Sequence, residues 1–308
     1  KATGFDPVMR WFESSYPNSS ADHVDDLRFF ITFIITVKQR MVEIMKIGFI
    51  GVGNMAKAII EGLMSKGVEA KNIFIHSAHK SNYEVYSQET GVSACESNSE
   101  VIEKSDVVFL AVKPIVVEKV LKEVKDSVLT HNPVLVSVVT GVSVAELEDT
   151  LGSKDVKIVR TMPNVNVEIG EGMTALHKND NVSDEDYQLV RELFEKIGKV
   201  AEIEEKDFST FVALAGSSPA FVYFFIDSLA RSGVKYGLNK QKATQIAAQA
   251  VLGSALKVLK SDKTPWELVD DVSSPGGTTV AGLLAMEEAG FMTSIVKGVD
   301  ATISKDKG

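Results

Sequence analysis

Residues suited to holding a small anion come together late in the chain, at positions 273–279. The segment reads Ser-Ser-Pro-Gly-Gly-Thr-Thr and leads into an apolar stretch that predicts a helix. The first amides of a helix have no partner within it, and the helix dipole adds positive potential at that end. The pattern therefore predicts a site for a small anion such as a carboxylate. The expected contacts are Ser274, Gly276, Gly277, Thr278 and Thr279.

A second glycine turn, at residues 51–56, follows a short apolar strand. Its sequence Gly-Val-Gly-Asn-Met-Ala fits a pattern in which glycines let the backbone approach a pyrophosphate and alanine lets the helix pack on the sheet. The pattern alone is common, so a purely structural turn is the alternative. We expect a dinucleotide to contact Gly51, Gly53, Asn54 and Met55. Together, the two sites indicate a reductase that acts on a small carboxylate.

The end of the next predicted strand indicates which dinucleotide binds. An NAD-binding protein is expected to carry Asp or Glu there to bind the ribose hydroxyls. This chain reads Ile-His-Ser-Ala-His-Lys over residues 75–80, without an acid. Ser77, His79 and Lys80 supply hydrogen bonds and charge for a 2′-phosphate, which favours NADPH over NADH. The alternative reading places His79 and Lys80 on a solvated loop.

Composition excludes several other classes of protein. The chain has 308 residues, of which 44% are hydrophobic and 24% charged, which suits a soluble protein of two domains. A net charge of −9 does not favour nucleic-acid binding. The single cysteine and the scattered histidines predict neither an intrachain disulfide nor a metal site, so we expect a cytoplasmic protein without a metal.

Residues 1–44 differ in character from the rest of the chain. Their apolar run, residues 29–37, is shorter than the roughly 20 residues of a membrane span. Acidic rather than basic residues precede it, unlike a signal peptide. We interpret residues 1–44 as an upstream or cloning-derived extension, with Met45 as the natural start. A genuine extra strand or helix is the alternative.

Strands and helices alternate over residues 45–203, which predicts a doubly wound α/β Rossmann domain. The predicted strands are residues 46–50, 73–75, 107–112, 134–139 and 156–159. The predicted helices are residues 54–66, 81–89, 98–104, 116–126 and 144–151.

Strand signals stop after about residue 204, and the remaining pattern predicts helices only. These helices are residues 208–214, 219–235, 240–259, 264–269, 278–288 and 292–303, with a turn at residues 216–219 before the second. The segment 240–259 has almost no polar face, which predicts burial between subunits. We therefore expect an all-helical substrate-binding and dimerisation domain over residues 204–308.

Five motifs between Met45 and the end of the chain resemble those of the pyrroline-5-carboxylate reductase family. They are GFIGVGNMA at 48–56, DVVFLAVKP at 106–114, RTMPN at 160–164, GSSPA at 216–220 and SSPGGTT at 273–279. The last is the most specific to the family, whereas many enzymes share the first. The resemblance implies an oxidoreductase of proline biosynthesis that reduces 1-pyrroline-5-carboxylate to L-proline with NADPH.

The resemblance also implies roles for individual residues. Asn98 would lie near the adenine ribose, and residues 274–279 would hold the substrate carboxylate, with the Thr279 hydroxyl at the ring nitrogen. The residues implied at the nicotinamide end are Ala111, Val112, Lys113, Pro114, Met162, Pro163 and Asn164. The family forms an interlocked homodimer, so the active site would border two subunits. The alternative readings are a helix cap at Thr279, a surface charge at Lys113 and a plain turn at 162–164.

Two positions depart from the family pattern, and other functions remain open. Asn166 stands where the family usually has proline, and Ser218 replaces a glycine, which affects the local loop geometry. A related imine reductase is one alternative. A β-hydroxyacid-type dehydrogenase is another, but the segment after Gly216 lacks the helix lysine such enzymes use. A non-enzymatic NADP-binding sensor is the third, and the intact anion-binding turn argues against it.

Overall fold

The computed structural model describes residues 45–306, with one sheet at its centre. The extension expected over residues 1–44 lies outside the described residues. Within the described part the sheet has eight strands. They are β1 (Ile47–Ile50), β2 (Ile73–His76), β3 (Ser93–Ala94), β4 (Val107–Leu110), β5 (Val134–Ser137), β6 (Ile158–Met162), β7 (Gly172–Lys178) and β8 (Gly198–Glu202).

The strand order is β3-β2-β1-β4-β5-β6-β7-β8. Strands β1 to β6 pair in parallel, β7 pairs antiparallel with β6, and β8 runs parallel to β7. Because β1 lies between β2 and β4, the chain changes direction across the sheet after β3. Ligands of such sheets bind beyond the carboxyl ends of the strands at this reversal.

Helices cover both faces of the sheet, which confirms the doubly wound prediction. They are α1 (Asn54–Ser65), α2 (Lys80–Thr90), α3 (Asn98–Glu103), α4 (Val117–His131), α5 (Val144–Leu151) and α6 (Asp184–Lys196). On one face α1 and α6 pack through Ile59, Leu63 and Phe194. On the other, α4 and α5 pack through Leu121 and Leu147. The central strands are buried on both faces, as a covered parallel sheet requires.

Four elements of this domain were not predicted from the sequence. Strand β3 has two residues, which is too short for a periodic signal. Strand β8 reads Gly-Lys-Val-Ala-Glu and is half exposed, so no apolar run marks it. Strand β7 and helix α6 carry recognisable apolar positions, but charged and polar residues interrupt them. Strands β7 and β8 extend the sheet beyond β6, whereas β3 forms its opposite edge.

Helices alone follow β8, as predicted. They are α7 (Phe208–Phe211), α8 (Ser218–Lys235), α9 (Lys240–Lys260), α10 (Pro265–Asp271), α11 (Thr278–Glu288) and α12 (Phe291–Asp306). The expected start of a long helix after residue 216 is confirmed, since α8 begins at Ser218 after a bend at Ser217. The π-helical turn Val212–Gly216, which links α7 to this bend, was not predicted. Pro219 is tolerated there because it occupies the first turn of α8, where no amide is needed.

The helical part buries few of its own apolar side chains. Only Ala243 and Ala247 of α9 are buried, and α10, α11 and α12 bury none. Large apolar side chains therefore lie on the surface of the single chain. They include Phe224, Leu252, Leu259, Trp266, Leu284, Met292 and Val296. An apolar surface of this extent indicates a partner surface of some kind.

One segment of the described chain, Glu205–Lys235, is long and apolar enough to cross a membrane by those criteria alone. Helices α11 and α12 together meet the same criteria but are bent by 49° at the break between them. A helix that packs against another subunit has the same length and composition, so this property does not identify its environment.

Candidate active site

The glycine turn after β1 has the backbone geometry that a dinucleotide requires. Gly51 has a φ of +98°, and a Cβ there would lie 2.5 Å from the Ala111 carbonyl oxygen, so no other residue fits without rearrangement. Its amide donates to the His76 carbonyl oxygen at 2.9 Å, which ties the turn to the end of β2. At Gly53 a Cβ would meet no heavy atom within 4 Å, so this side of the turn is open.

The amino end of α1 has free backbone amides that suit an anion. Gly53 is its N-cap residue, no side chain caps it, and its first turn contains no acidic residue. Asn54 is exposed at this end, whereas Met55 is half-buried against the core beneath the sheet. Met55 can therefore contribute its backbone amide while its side chain packs inward. The open glycine and the uncapped helix end together fit a pyrophosphate.

A cleft of about 480 Å³ lies beside this turn, at the carboxyl ends of β1, β2 and β4. The predicted cofactor residues that line it are Gly51, Gly53, Ser77, His79, Asn98, Ala111, Val112 and Lys113. Those that do not line it are Asn54, Met55, Lys80, Pro114, Met162, Pro163 and Asn164. Most of the residues expected at the adenosine side and the dinucleotide turn are thus brought together.

Sequence reasoning missed several residues of the cleft. They are Ile50, Val52, His76, Ala78, Asn82, Val116, Lys119, Val120 and Glu123. His76 Nδ1 lies 2.8 Å from Asn98 Oδ1, and Asn98 Nδ2 donates to Glu123 Oε1 at 3.2 Å. The spacing of Val116, Lys119, Val120 and Glu123 places them on one face of a helix, a signal that could have found them.

Lys80 makes a different set of contacts from those expected. Its ammonium lies 3.6 Å from a carboxylate oxygen of Glu84 and 3.6 Å from one of Glu96. The charges of Glu96 and, less strongly, Glu84 raise the pKa of Lys80. The side chain is exposed, so these ion pairs are weak. A 2′-phosphate would compete with two carboxylates for this lysine.

The loop after β6 is buried and internally bonded. Met162, Pro163 and Asn164 are all buried. Asn164 Nδ2 donates to the Ala215 carbonyl oxygen at 3.0 Å, and its Oδ1 accepts from the amides of Asn166 and Met173, each at 3.3 Å. Asn164 therefore ties this loop to the π-helical turn.

The turn at residues 273–279 opens α11 in the manner the sequence predicts. Gly276 has a φ of +72°, and the Gly277 amide donates to the Ser274 carbonyl oxygen at 2.9 Å. Gly277 is the N-cap residue, with no side-chain cap and no acid in the first turn. Thr278 and Thr279 are exposed. Because Gly277 is the cap residue, the reading of Thr279 as a helix cap is wrong.

The turn before α11 contributes no residue to the cleft beside Gly51. The described residues that line the cleft end at Glu123, so none belongs to the turn before α11. A separate apolar groove of about 460 Å³ lies between α8, α11 and α12, lined by residues such as Phe221, Phe225 and Phe291.

Other reactive groups in the described part offer little chemistry. Burial raises the pKa of the Cys95 thiol to about 11, so the thiolate is scarce at neutral pH. Among residues 45–306 no three His, Cys, Asp or Glu side chains are grouped so that they could hold a metal ion.

Family profiles match two parts of the chain. The profile described as pyrroline-5-carboxylate reductase dimerisation matches residues 205–308. The profile described as NADP oxidoreductase, coenzyme F420-dependent, matches residues 46–141. The first covers the helices after β8, and the second covers the glycine turn and the cofactor cleft.

Individual proteins match most of the chain. A pyrroline-5-carboxylate reductase of Aquifex aeolicus is 39% identical over 85% of this chain and 97% of its own length. One of Arabidopsis thaliana is 36% identical over 86% of this chain and 95% of its own. The crystal structure of Plasmodium falciparum pyrroline carboxylate reductase with NADP bound superimposes with a TM-score of 0.79. It is 33% identical and covers 86% of this chain and 98% of its own.

Proposed function

The chain belongs to the pyrroline-5-carboxylate reductase family and reduces 1-pyrroline-5-carboxylate to L-proline with a nicotinamide cofactor; we propose which of its residues bind the two reactants. The observation that carries the proposal is the uncapped turn before α11. The chain has one uncapped helix start at the dinucleotide turn, for the cofactor, and this further one is left for the substrate carboxylate.

The cofactor is assigned to the cleft beside Gly51 and Gly53. The uncapped end of α1, with Asn54 and Met55, would hold the pyrophosphate. Ser77 and His79 line the end of β2, where a 2′-phosphate would lie, and Lys80 follows them. Asn98 is proposed to lie at the adenosine ribose. The residues proposed at the nicotinamide end, beyond the pyrophosphate, are Ala111, Val112, Lys113, Pro114, Met162, Pro163 and Asn164. When bound, the nicotinamide supplies a hydride to the C=N carbon of the substrate.

The substrate carboxylate is assigned to the turn before α11. Ser274, Gly276, Gly277 and Thr278 would offer backbone amides and hydroxyls to its oxygens. The Thr279 hydroxyl would hydrogen-bond the imine nitrogen and orient the ring. Threonine is a poor proton donor at neutral pH, so water is the proposed source of the final proton. Fixing the two rings in a reactive arrangement contributes up to roughly 7–11 kcal/mol of the barrier reduction.

The helical part makes the protein a homo-oligomer, and we propose an interlocked homodimer or a higher assembly of dimers. The dimerisation profile over residues 205–308 supports the association of subunits. The exposed apolar faces of α8, α9, α11 and α12 supply the surface. Since the turn before α11 lies outside the cofactor cleft of its own chain, we propose that each active site borders two subunits.

The domains are proposed to divide between residues 203 and 204. Strand β8 ends at Glu202, and the helices begin at Phe208 after a short turn at Glu205–Asp207. This gives a Rossmann domain over 45–203 and a substrate-binding and dimerisation domain over 204–308. We propose a cytoplasmic location and no nucleic-acid or membrane partner, with Glu205–Lys235 packed against another subunit.

The test is reduction of 1-pyrroline-5-carboxylate, followed by the loss of reduced-nicotinamide absorbance. NADPH and NADH are compared, beside a six-membered cyclic imine carboxylate and a β-hydroxyacid with the oxidised cofactor. Rapid turnover of the five-membered imine with NADPH is expected. Turnover of the six-membered imine alone would support a related imine reductase. NADPH binding without turnover of any of them would support a sensor and overturn the proposal.

A further inference from the structure

Three side chains from three elements form a hydrogen-bonded chain in the cofactor cleft. His76 ends β2, Asn98 begins α3, and Glu123 lies on α4. His76 Nδ1 is 2.8 Å from Asn98 Oδ1, and Asn98 Nδ2 donates to Glu123 Oε1 at 3.2 Å. All three line the cleft, and Asn98 is only 8% exposed. The central amide is therefore bonded at both of its polar atoms.

The charge of Glu123 fixes the orientation of this amide. An ionised carboxylate only accepts hydrogen bonds, so the amide nitrogen must face it. The reversed amide would place two acceptor oxygens about 3.2 Å apart. Asn98 Oδ1 must then face His76, so His76 Nδ1 carries a proton and donates it. The hydrogen bonds run in one direction, from His76 through Asn98 to Glu123.

The fixed amide retains capacity for one ligand hydroxyl. Asn98 Oδ1 has a second lone pair, and Nδ2 has a second hydrogen. A ribose hydroxyl can both donate and accept, so it matches this remaining pair of groups. Beside Asn98, the apolar side chains of Val116 and Val120 line the same cleft. A sugar next to an apolar base is the ligand chemistry that such a surface suits.

We propose that His76 and Glu123 are positioning residues that hold the Asn98 amide in the orientation that binds the adenosine ribose of the cofactor. This inference rests on the proposed cofactor site. His76 also contributes to the cofactor site through its backbone, because its carbonyl oxygen accepts a hydrogen bond from the Gly51 amide at 2.9 Å. One residue thus braces both the dinucleotide turn and the ribose contact. The 3′-hydroxyl of the adenosine ribose is present in both cofactors, whereas the 2′-hydroxyl is replaced by a phosphate in NADPH. The proposed contact is to the 3′-hydroxyl, so the effect is equal for NADPH and NADH.

The first test measures the Kd of NADPH and NADH by calorimetry without substrate. Glu123→Met removes the acceptor and is expected to raise both Kd values by roughly two- to tenfold, the range for one lost hydrogen bond. Glu123→Gln keeps an acceptor oxygen and is expected to recover most of the affinity. Glu118→Met is the matched control, since Glu118 lies on the same helix, outside the cleft, paired with Lys122.

A double-variant comparison separates positioning from a direct contact. In an Asn98→Ala background, Glu123→Met or His76→Asn is expected to change Kd no further, because each acts through the amide. Additive losses in that background would overturn the proposal, as would an unchanged Kd for Glu123→Met alone. Thermal unfolding of each variant checks that the fold is retained. Failure of the unaltered protein to bind NADPH would instead refute the cofactor site itself.

Discussion

At the scale of single residues, the hydroxyl of Thr279 is available for a ligand. Gly277 caps α11, and the Thr279 hydroxyl makes no side-chain hydrogen bond within residues 45–306. A hydroxyl at a helix start that caps nothing adds little to helix stability, so its removal is not expected to disturb the turn. Its proposed use is to orient the imine nitrogen of the substrate.

Thr279→Ala is expected to lower kcat by about tenfold or more, since an orienting hydrogen bond in the reacting complex is lost. The Kd of NADPH is expected to stay near that of the unaltered protein. Steady-state kinetics and calorimetry measure the two quantities. Thr279→Ser keeps the hydroxyl and should retain most of the activity. Equal turnover for the alanine variant would remove Thr279 from the chemistry.

His79 and Lys80 differ in their availability for a 2′-phosphate. His79 lines the cleft, whereas the Lys80 ammonium is shared by Glu84 and Glu96. If Lys80 binds the 2′-phosphate, Lys80→Ala weakens NADPH more than NADH. We expect His79→Ala to show a similar preference, and a larger one, because His79 lines the cleft whereas Lys80 does not. Ratios of Kd for the two cofactors decide this, and equal losses for both would contradict the 2′-phosphate assignment.

Sequence reasoning found cleft residues where a local pattern marks them. Gly51 and Gly53 belong to a motif whose spacing follows from backbone sterics, so their place was predictable. His76 has no such motif, and Glu123 is marked only by its place on one face of a helix, because the role of each depends on Asn98, which is distant from both in sequence. The internal bonds of Asn164 were missed for the same reason, since its acceptor Ala215 belongs to a later helix.

At the scale of elements, four of the five predicted strands, β1, β4, β5 and β6, are buried on both faces, and β2 is buried on one. Strands β1, β4 and β5 are continuous apolar runs, which a covered parallel sheet requires. Strand β8 was missed because it is half exposed and so has no continuous apolar run. It is held in the sheet by its pairing with β7, which the local sequence does not reveal. The π-helical turn before α8 was missed because no residue signal distinguishes it from a tight turn.

One ion pair joins the sheet to the start of the helical part. Arg160 of β6 donates to Glu205 Oε1 at 2.8 Å, and the same oxygen accepts the Val144 amide at 2.8 Å. The Arg160 guanidinium also lies 4.4 Å from the ring centre of Phe208 in α7. Its side chain is 9% exposed, so the charge depends on this partner.

Glu205→Gln is expected to lower the free energy of unfolding by about 3 kcal/mol, because a buried guanidinium loses its counter-charge. Urea unfolding at a fixed protein concentration measures the change, since association of subunits adds to stability. Glu204→Gln is the control, as it removes the same charge one residue away. A similar loss for both variants would show that the Arg160 pair carries no special weight.

At the scale of the whole molecule, the helical part of a single chain leaves most of its apolar side chains uncovered. Helices α11 and α12 bury no residue, and α8 exposes Phe224 to 76%. Apolar surface of this extent is stable in water when another subunit covers it. The helical part is therefore expected to owe much of its stability to association.

Phe224→Glu is expected to shift the protein towards monomers and to lower its activity, because a charge placed in a subunit contact must be desolvated. Light scattering after size-exclusion chromatography measures the mass. Leu129→Glu is the matched control, since Leu129 of α4 is 42% exposed on the Rossmann domain. An unchanged mass for Phe224→Glu would place the subunit contact elsewhere.

An active site that borders two subunits, as proposed, would make the enzyme open to complementation between two defective alleles. A Gly53→Asp subunit would repel the pyrophosphate yet fold well, since aspartate suits a helix N-cap and Gly53 faces open space. A Thr279→Ala subunit would lack the orienting hydroxyl. Random mixing of these two impaired proteins makes about half of the dimers mixed, and one site in each mixed dimer would be whole. The mixture would therefore gain about a quarter of full activity above the residual activity of the two variants. If each site were formed within one chain, mixing would restore no activity. The activity of the mixture therefore shows whether one active site takes residues from two subunits.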